Sequence, residues 1–259
     1  MNRARWFWSD AWALAVRQLR FNLRMPIWIA VNLSQPIIWL LLYGQLFRRV
    51  VELPGFGGTS YLSFLTPGVA MMTALFGSVW AGFSLIEDYD RGVLDRLLTT
   101  PVERGGIVLG SVLASSVTVA VQSLLILGLG LLFGARGAGG FTGDLALFVA
   151  ALFLAAGFAA LSNALALLTR KEEPLIAILN FLTLPLAFLS SAIMAPGLMP
   201  KWMQALARYN PVEWAVDLAR QGFGGGEIAW TAYGGRLLGF GLLAYLLAGA
   251  AFRVYRRLT

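Results

Sequence analysis

The sequence predicts an all-α integral membrane protein with six transmembrane helices, an N-terminal amphipathic interfacial helix and short re-entrant helices before the last span. Composition supports this fold class, because 58% of the 259 residues are hydrophobic and only 13% are charged. Soluble domains carry about 25% charged residues. The apolar residues also fall into six stretches, each close to the roughly 20 residues that a helix needs to cross a bilayer.

Residues 1–26 form the predicted interfacial helix. Apolar residues recur at helical spacing on one face of this segment: Trp8, Trp12, Ala15, Leu19 and Leu23. Arginines occupy another face. Tryptophan at the membrane interface and arginine toward the headgroups are typical of a helix that lies on a membrane. A plain juxtamembrane anchor without a functional role is the alternative.

The six predicted spans cover residues 27–47, 64–86, 107–133, 145–169, 175–195 and 232–252. Of the 20 lysines and arginines, 13 lie on the side of the two termini, in short segments close to the spans. Cytoplasmic loops carry the excess of these residues, so both termini are predicted to be cytoplasmic. The net charge of +7 therefore indicates contact with membrane lipids rather than with nucleic acid.

Several chemistries are excluded by what the sequence lacks. The chain has no Cys and no His, which removes thiol nucleophiles, imidazole acid–base chemistry and the usual zinc ligands. The predicted spans contain no Asp or Glu of the kind that proton-coupled transporters place within the bilayer. Neither Lys171 nor Lys201 follows a glycine, so the chain has no phosphate-binding P-loop. We therefore expect no enzyme activity, metal or cofactor in this chain alone.

The connection between the second and third spans, residues 87–105, is rich in charge. Within it Leu94, Leu97 and Leu98 recur at helical spacing, and Pro101 ends the pattern. A short amphipathic helix of this kind suits insertion into a groove of a soluble partner. A solvated charged loop is the alternative, and the spacing alone does not decide between the two.

Two motifs in this order resemble the signature of ABC type-2 exporter permeases. The first runs Phe83…Glu87…Arg91-Gly92…Leu94…Leu97…Thr100-Pro101-Val102…Arg104…Ile107…Gly110. The second runs Met199-Pro200-Lys201-Trp202, then Asn210-Pro211-Val212-Glu213-Trp214, then Asp217 and Arg220. The resemblance covers the whole chain and is nearest to the multidrug-resistance branch, typified by daunorubicin-resistance permeases.

The resemblance implies a half-transporter whose ATP and Mg²⁺ are bound by a separate subunit. Two identical permease chains and two nucleotide-binding subunits would form the exporter, in the plasma membrane of a prokaryote. The resemblance places the coupling helix in residues 87–105 and a second contact with the ATPase in the fourth connection. The residues implied for coupling are Glu87, Asp90, Arg91, Gly92, Leu94, Leu97, Pro101, Arg104, Arg170, Lys171 and Glu172.

Residues 196–231, between the fifth and sixth spans, predict a pair of short helices on the external side. Apolar residues recur at helical spacing on both sides of Asn210-Pro211, which breaks the pattern. The resemblance implies that these helices are re-entrant and border the outer exit of the pathway, whereas a surface hairpin is the alternative. The candidate residues are Trp202, Asn210, Pro211, Trp214, Asp217 and Arg220.

Uncharged polar residues are most frequent in the first and fifth spans, each of which contains a proline. Such residues usually bridge helices. The resemblance implies that these spans line the interface between protomers, which makes Asn32, Gln35, Asn180 and Thr183 the candidate pathway residues. An uncharged lining favours hydrophobic or amphiphilic drugs or lipids. A lipid-linked polysaccharide exporter and a non-transporting membrane scaffold are the alternatives.

Overall fold

The computed structural model describes residues 3–24, 26–52, 60–93 and 104–257, and these residues form helices and short connections without a strand. The prediction of an all-helical protein is confirmed. The α-helices are α1 (Arg3–Leu23), α2 (Pro26–Leu46), α3 (Tyr61–Val79), α4 (Phe83–Asp90), α5 (Arg104–Leu132), α6 (Gly140–Thr169), α7 (Glu172–Phe188), α8 (Lys201–Ala207), α9 (Pro211–Phe223) and α10 (Gly235–Arg257).

Four stretches of the described residues are long and apolar enough to cross a membrane: Tyr61–Asp90, Gly105–Leu132, Gly140–Thr169 and Trp230–Arg253. They correspond to the second, third, fourth and sixth predicted spans. The first and fifth predicted spans coincide with α2 and α7. Helix α7 has 17 residues and ends at Phe188, before the predicted end at residue 195. The residues that follow form turns and bends instead of a helix.

Helix α6 lies at the centre of the fold and packs against α3, α5, α9 and α10. Small residues line its surface, and Ala150, Ala151, Ala155 and Ala159 are completely buried. In a bilayer the hydrophobic effect does not drive helices together, so small side chains that allow close approach contribute much of the packing. The alanine-rich sequence of this span therefore explains its central position.

Helix α1 presents two different faces. Ala11 and Ala15 are buried, and α1 packs against α5 at Gly110, where an added Cβ would lie 3.0 Å from the Ala11 carbonyl oxygen. Trp8 and Trp12 are 60% and 59% exposed, which leaves them free to occupy a membrane interface. Ala15 does not share the outward face with the tryptophans, because α5 covers the small-residue side of the helix.

Residues 196–231 contain the two predicted helices, α8 and α9, with the break at the predicted position. The Asn210 side-chain oxygen accepts a hydrogen bond of 2.9 Å from the Val212 N–H, and Pro211 occupies the first turn of α9. Both features are favoured at a helix start. An added Cβ at Gly143 would lie 2.2 Å from the Gly222 carbonyl oxygen, so the end of α9 packs closely on α6. Helix α9 is therefore largely buried in the protein.

Candidate functional site

The second span ends in a short charged corner, formed by residues 87–92. The Arg91 N–H donates to the Glu87 carbonyl oxygen at 3.1 Å, and the two side chains form an ion pair with an N–O distance of 2.5 Å. Gly92 has a φ of +65°, the left-handed conformation that glycine adopts readily after a helix. Asp90 and Arg91 are exposed. The corner therefore presents charged side chains at the end of a rigid helix.

Helix α1 contacts this corner. Arg17 of α1 forms an ion pair with Asp88 of α4, and the Arg91 guanidinium carbon lies 6.0 Å from the centre of the Phe21 ring. The helical spacing predicts Arg17 on the headgroup side of α1 and does not reveal these partners. Because Arg17 and Asp88 are 71 residues apart, no helical spacing relates them. The feature of the sequence that could have indicated a partner for Arg17 is its position on a different face of the helix from Trp8 and Trp12.

Part of the predicted coupling segment lies outside the described residues. This applies to Leu94, Leu97 and Pro101. Arg104 is the first residue of α5, and its side chain is also outside the described part of the structure. The amphipathic helix between residues 94 and 101 therefore stays a prediction. Glu87 and Asp90, predicted for the coupling helix, belong to α4, the continuation of the second span.

The fourth connection is a tight turn between α6 and α7. Arg170 has a φ of +56°, which is uncommon for a residue with a side chain, and its N–H donates to the Ala166 carbonyl oxygen at 2.9 Å. Lys171 and Glu172 are exposed. Glu172 lies in the first turn of α7, where the helix dipole favours a negative charge. The turn thus presents a positively and a negatively charged side chain beside the end of α6.

A cavity of about 260 Å³ lies between α2, α3, α5 and α7. It is lined by Gln35, Pro36, Trp39, Val69, Met72, Thr73, Phe76, Gly77, Trp80, Gln122 and Asn180. None of these lining side chains is ionisable. Aromatic rings, aliphatic side chains and amides instead form its wall, which is the mixture usual for sites that bind small apolar molecules.

Two of the four candidate pathway residues, Gln35 and Asn180, line this cavity. Thr183 is buried in α7 and is not among the lining residues. Asn32 belongs to α2, but its side chain lies outside the described part of the structure. Sequence analysis did not select Gln122, although it is a polar residue in a span. Which face of α5 turns toward α2 and α7 cannot be inferred from the apolar pattern, because lipid-facing and buried positions are both apolar.

The charged residues of α9 face inward and hold the irregular backbone that follows α7. The two terminal nitrogens of Arg220 donate to the Ser191 hydroxyl at 2.8 Å and to the carbonyl oxygens of Ser191 and Ala192 at 2.6 and 3.0 Å. The guanidinium also lies 3.6 Å from the centre of the Phe64 ring. The Glu213 carboxylate accepts the Ser191 N–H at 2.5 Å. We refer to Ser191, Glu213, Asp217 and Arg220 as the α9 clasp.

The clasp satisfies backbone groups that no helix satisfies. Non-helical backbone at membrane depth is stable only where protein or water supplies its hydrogen-bond partners. Burial lowers the pKa of Arg220 to about 10, opposed by the charges of Glu213 and Asp217, so the guanidinium stays charged at neutral pH. Burial, reinforced by the charge of Glu213, raises the pKa of Asp217 to about 6, opposed by Arg220 and by a hydrogen bond from Tyr233.

The other candidate external residues surround the clasp. The Asn210 amide nitrogen donates to the Leu186 carbonyl oxygen at 2.7 Å, which ties the start of α9 to α7. The Trp214 indole N–H donates to the Arg208 carbonyl oxygen at 2.7 Å. Trp202 is 60% exposed on α8. Five of the six predicted residues, Asn210, Pro211, Trp214, Asp217 and Arg220, thus start α9 or join it to its surroundings, and Trp202 faces outward.

The raised pKa of Asp217 predicts a pH dependence of stability. The folded-state pKa of about 6 exceeds the ordinary value of 3.8, so stability is lost as the pH rises from about 4 to above 6. We expect Asp217→Asn to raise stability at pH 7.5 by an amount on the order of 2 kcal/mol and to leave it nearly unchanged at pH 4. Melting temperatures of the detergent-purified protein across this range provide the measurement.

Glu227→Gln, which neutralises an exposed acid just beyond α9, is the matched control and should leave the profile unchanged. If Asp217→Asn instead destabilises the protein at pH 7.5, the carboxylate contributes more through its contacts with Arg220 and Tyr233 than its burial costs.

Comparison with known proteins agrees with this architecture. The family model described as "ABC-2 type transporter" matches residues 9–223. The chain is 32% identical to the "Putative transport permease ycf38" of Cyanophora paradoxa over 198 residues, which cover 76% of this chain and 68% of that protein. It is 28% identical to the daunorubicin resistance ABC transporter permease protein DrrB1 of Streptomyces coeruleorubidus, over 89% of this chain and 80% of that protein.

The chain is also 28% identical to the nodulation protein J of Rhizobium leguminosarum bv. trifolii, over 73% of this chain and 71% of that protein. The fold and these matches define a helical membrane permease. The chain belongs to the ABC-2 type transporter family. The resemblance drawn from the two sequence motifs is therefore confirmed.

Proposed function

We propose that this chain is the membrane-spanning subunit of an ATP-driven exporter that moves hydrophobic or amphiphilic compounds out of the cell. The observation that carries the proposal is the uncharged cavity between α2, α3, α5 and α7, with its indole, phenyl and amide side chains. Its volume of about 260 Å³ suits one ring system or an acyl segment better than the wide channel that a polysaccharide needs.

In this proposal α2 and α7 are the first and fifth of six spans, and both termini are cytoplasmic. Both helices expose large apolar side chains, such as Ile38 and Leu42 on α2 and Phe181 and Phe188 on α7, which suits lipid or a neighbouring helix. A second, identical permease chain would cover part of this surface. Helices α8 and α9 would then be re-entrant from the external side, next to the outer exit.

The energy source in this proposal is a separate ATP-binding subunit, present in two copies. ABC permeases work with such subunits, and the charged corner at residues 87–92 would be its main docking site. Arg170, Lys171 and Glu172 in the fourth connection would form the second contact. The exposed charges at both sites support the proposal, because oppositely charged surfaces favour rapid and specific association. The exporter would reside in the plasma membrane of a prokaryote.

Cysteine accessibility tests the proposed topology directly, because the chain has no cysteine of its own. Single cysteines at Asp90 and Lys171 should be protected in intact cells from a membrane-impermeant maleimide, and single cysteines at Phe141 and Trp202 should react. All four positions are exposed in the structure. Labelling of the Asp90 position from outside the cell would contradict the docking site and the orientation together.

The cavity predicts a selective loss of transport. Asn180→Leu keeps the side-chain size but removes the amide from the cavity wall. We expect the KM for daunorubicin export to rise about fivefold, because the loss of one hydrogen bond costs about 1 kcal/mol of binding. ATP-dependent uptake of daunorubicin into inside-out vesicles is the assay, chosen because a relative is named for resistance to this compound. Gln35→Leu should have a similar effect.

Ser34→Ala provides the control, because Ser34 adjoins Gln35 but bonds to the Val31 carbonyl oxygen of its own helix and does not line the cavity. An equal loss in the Ser34 variant would indicate a general packing defect. Unchanged kinetics in both cavity variants would place the substrate elsewhere.

A further inference from the structure

The second span changes its helical type at Trp80–Gly82, where a 3₁₀ turn separates α3 from α4. A short 3₁₀ stretch within a helix often marks a hinge. Ser78, just before the turn, donates its hydroxyl to the carbonyl oxygens of Ala74 and Leu75 at 2.7 and 3.1 Å. Such back-bonding bends helices. The break therefore arises within the sequence of the span, without a proline at this position.

A side chain from another helix contacts both ends of this turn. The Gly82 N–H donates to the Ser162 hydroxyl of α6 at 3.0 Å, and the same hydroxyl donates to the Val79 carbonyl oxygen. These two backbone groups are the donor and acceptor of the i to i+3 bond that defines the turn. The Ser162 hydroxyl therefore competes with that bond at both of its ends. Ser162 is completely buried, so the hydroxyl is held at the turn.

The close approach of α6 requires a glycine at the turn. An added Cβ at Gly82 would lie 2.5 Å from the Ser162 carbonyl oxygen and 2.7 Å from its hydroxyl oxygen. Helix α5 contributes a second hydroxyl, because Ser111 lies 3.2 Å from the Asn163 side-chain oxygen and 3.4 Å from the Ala81 carbonyl oxygen. Both neighbouring helices thus contact the turn through polar groups.

An unpaired hydrogen-bond donor lies beside the same turn. The Asn163 amide nitrogen is buried and has no hydrogen-bond partner among the described residues. Buried donors are nearly always paired, so an unpaired one needs a specific explanation. A second arrangement of the turn, in which a carbonyl of residues 80–82 accepts from Asn163, would supply that partner. The Asn163 amide is therefore a donor available to a second arrangement of the turn.

The turn joins the two regions assigned to transport. Trp80 of the turn and Gly77 just before it line the cavity. After the turn, α4 carries Glu87 and Asp88 of the charged corner, and Asp88 pairs with Arg17 of α1. The length from residue 82 to residue 90 is about 12 Å at 1.5 Å per residue. A change of angle at the turn therefore moves the corner as a rigid lever.

We propose that residues 80–82 form a hinge and that Ser162 is the positioning residue that sets its angle. A ligand against Trp80 and a nucleotide-driven movement of the corner then act on the same turn. This inference rests on the proposed function, since it uses the cavity as the substrate site and the corner as the docking site. A change of about 20° at the turn displaces the end of α4 by about 4 Å.

The hinge is tested first in the permease alone. Cysteines at Asp90 and Leu168, both exposed, accept spin labels in this cysteine-free chain, and their distance reports the position of α4 relative to α6. In lipid nanodiscs we expect Ser162→Ala to shift this distance by about 4 Å. Thr118→Ala removes a hydroxyl that, among the residues the structure describes, bonds to the Ala114 carbonyl oxygen of its own helix, and it should cause no shift. An unchanged distance in Ser162→Ala overturns the hinge.

A second label pair separates a hinge from general misfolding. Cysteines at Phe141 and Leu206, both exposed, lie away from the turn, and their distance should be the same in the parent and in Ser162→Ala. A shift of both pairs would show that Ser162 maintains the whole fold, which would overturn its specific role at the turn.

The coupling role is tested in the complex with the ATP-binding subunit, with daunorubicin as the probe. We expect Ser162→Ala to keep the basal ATPase rate within about twofold and to lose most of the stimulation by the probe, because the cavity no longer acts on the corner. Stimulation equal to that of the parent would overturn the coupling role. Failure of the parent to form an active ATPase would contradict the proposed function, whereas the distance measurement on the permease alone still decides the hinge.

Discussion

Replacing Arg220 with alanine should lower the melting temperature of the purified permease by about 6–12 °C, the equivalent of about 3 kcal/mol for a chain of this size. The variant loses three hydrogen bonds from a charged group to Ser191 and Ala192. It also leaves two carbonyl oxygens of non-helical backbone without these partners. Each unsatisfied buried group costs about 1–3 kcal/mol, so this loss exceeds that of the stacking contact with Phe64.

Two further variants separate the contributions of Arg220. Arg220→Lys keeps the charge but not the planar fork that bonds to adjacent carbonyl oxygens, so we expect an intermediate loss. Arg208→Ala removes an exposed arginine shortly before α9 and keeps the backbone carbonyl that binds Trp214, so its melting temperature should match that of the parent. Equal melting temperatures of Arg220→Ala and the parent would show that the clasp does not hold the segment after α7.

The double substitution Glu87→Ala, Arg91→Ala should abolish most ATP-dependent transport while it leaves the fold intact. The pair lies at the protein surface, and a pair with i to i+4 spacing on a helix contributes only about 0.3–0.5 kcal/mol to stability. The same charges are worth more when a partner buries them, because truncation of one member of a buried, hydrogen-bonded interfacial charge pair costs about 2–5 kcal/mol of binding. We therefore expect at least a tenfold loss of vesicle transport, with melting temperature unchanged.

The matched control is the double substitution Arg49→Ala, Glu52→Ala, which removes an exposed opposite-charge pair of residues from the segment after α2. It should transport at the rate of the parent, because this segment lies at the other end of the second span. A Glu87, Arg91 variant with full transport and a normal ratio of ATP hydrolysed to compound moved would rule out this corner as the coupling site.

Features that depend on local sequence were predictable. The break between α8 and α9 follows from Asn210 and Pro211, whose side chains start a helix by capping it and by fixing its first turn. The charged pair of Glu87 and Arg91 follows from a spacing of four along one helix. The all-helical membrane character follows from the length of the apolar stretches, because backbone groups in a bilayer need hydrogen-bond partners and a helix supplies them from its own segment.

Features that depend on contacts between helices were not predictable. Arg220 and Ser191 are 29 residues apart and lie on different elements, so the inward orientation of the α9 charges has no signal in the helical pattern. The same holds for Ser162, which bonds to the 3₁₀ turn of the second span from the fourth. In a membrane protein the lipid-facing and the buried sides of a helix are both apolar, so hydrophobic periodicity does not reveal which side packs inward.

We propose that this chain moves compounds only when a separate ATP-binding subunit acts on the charged corner of α4. The most direct test is daunorubicin accumulation in liposomes that contain the purified permease, with and without that subunit and ATP. Accumulation against a gradient is predicted only with the subunit and hydrolysable ATP, and it should disappear with a non-hydrolysable analogue. Uphill accumulation by the permease alone would contradict the claim.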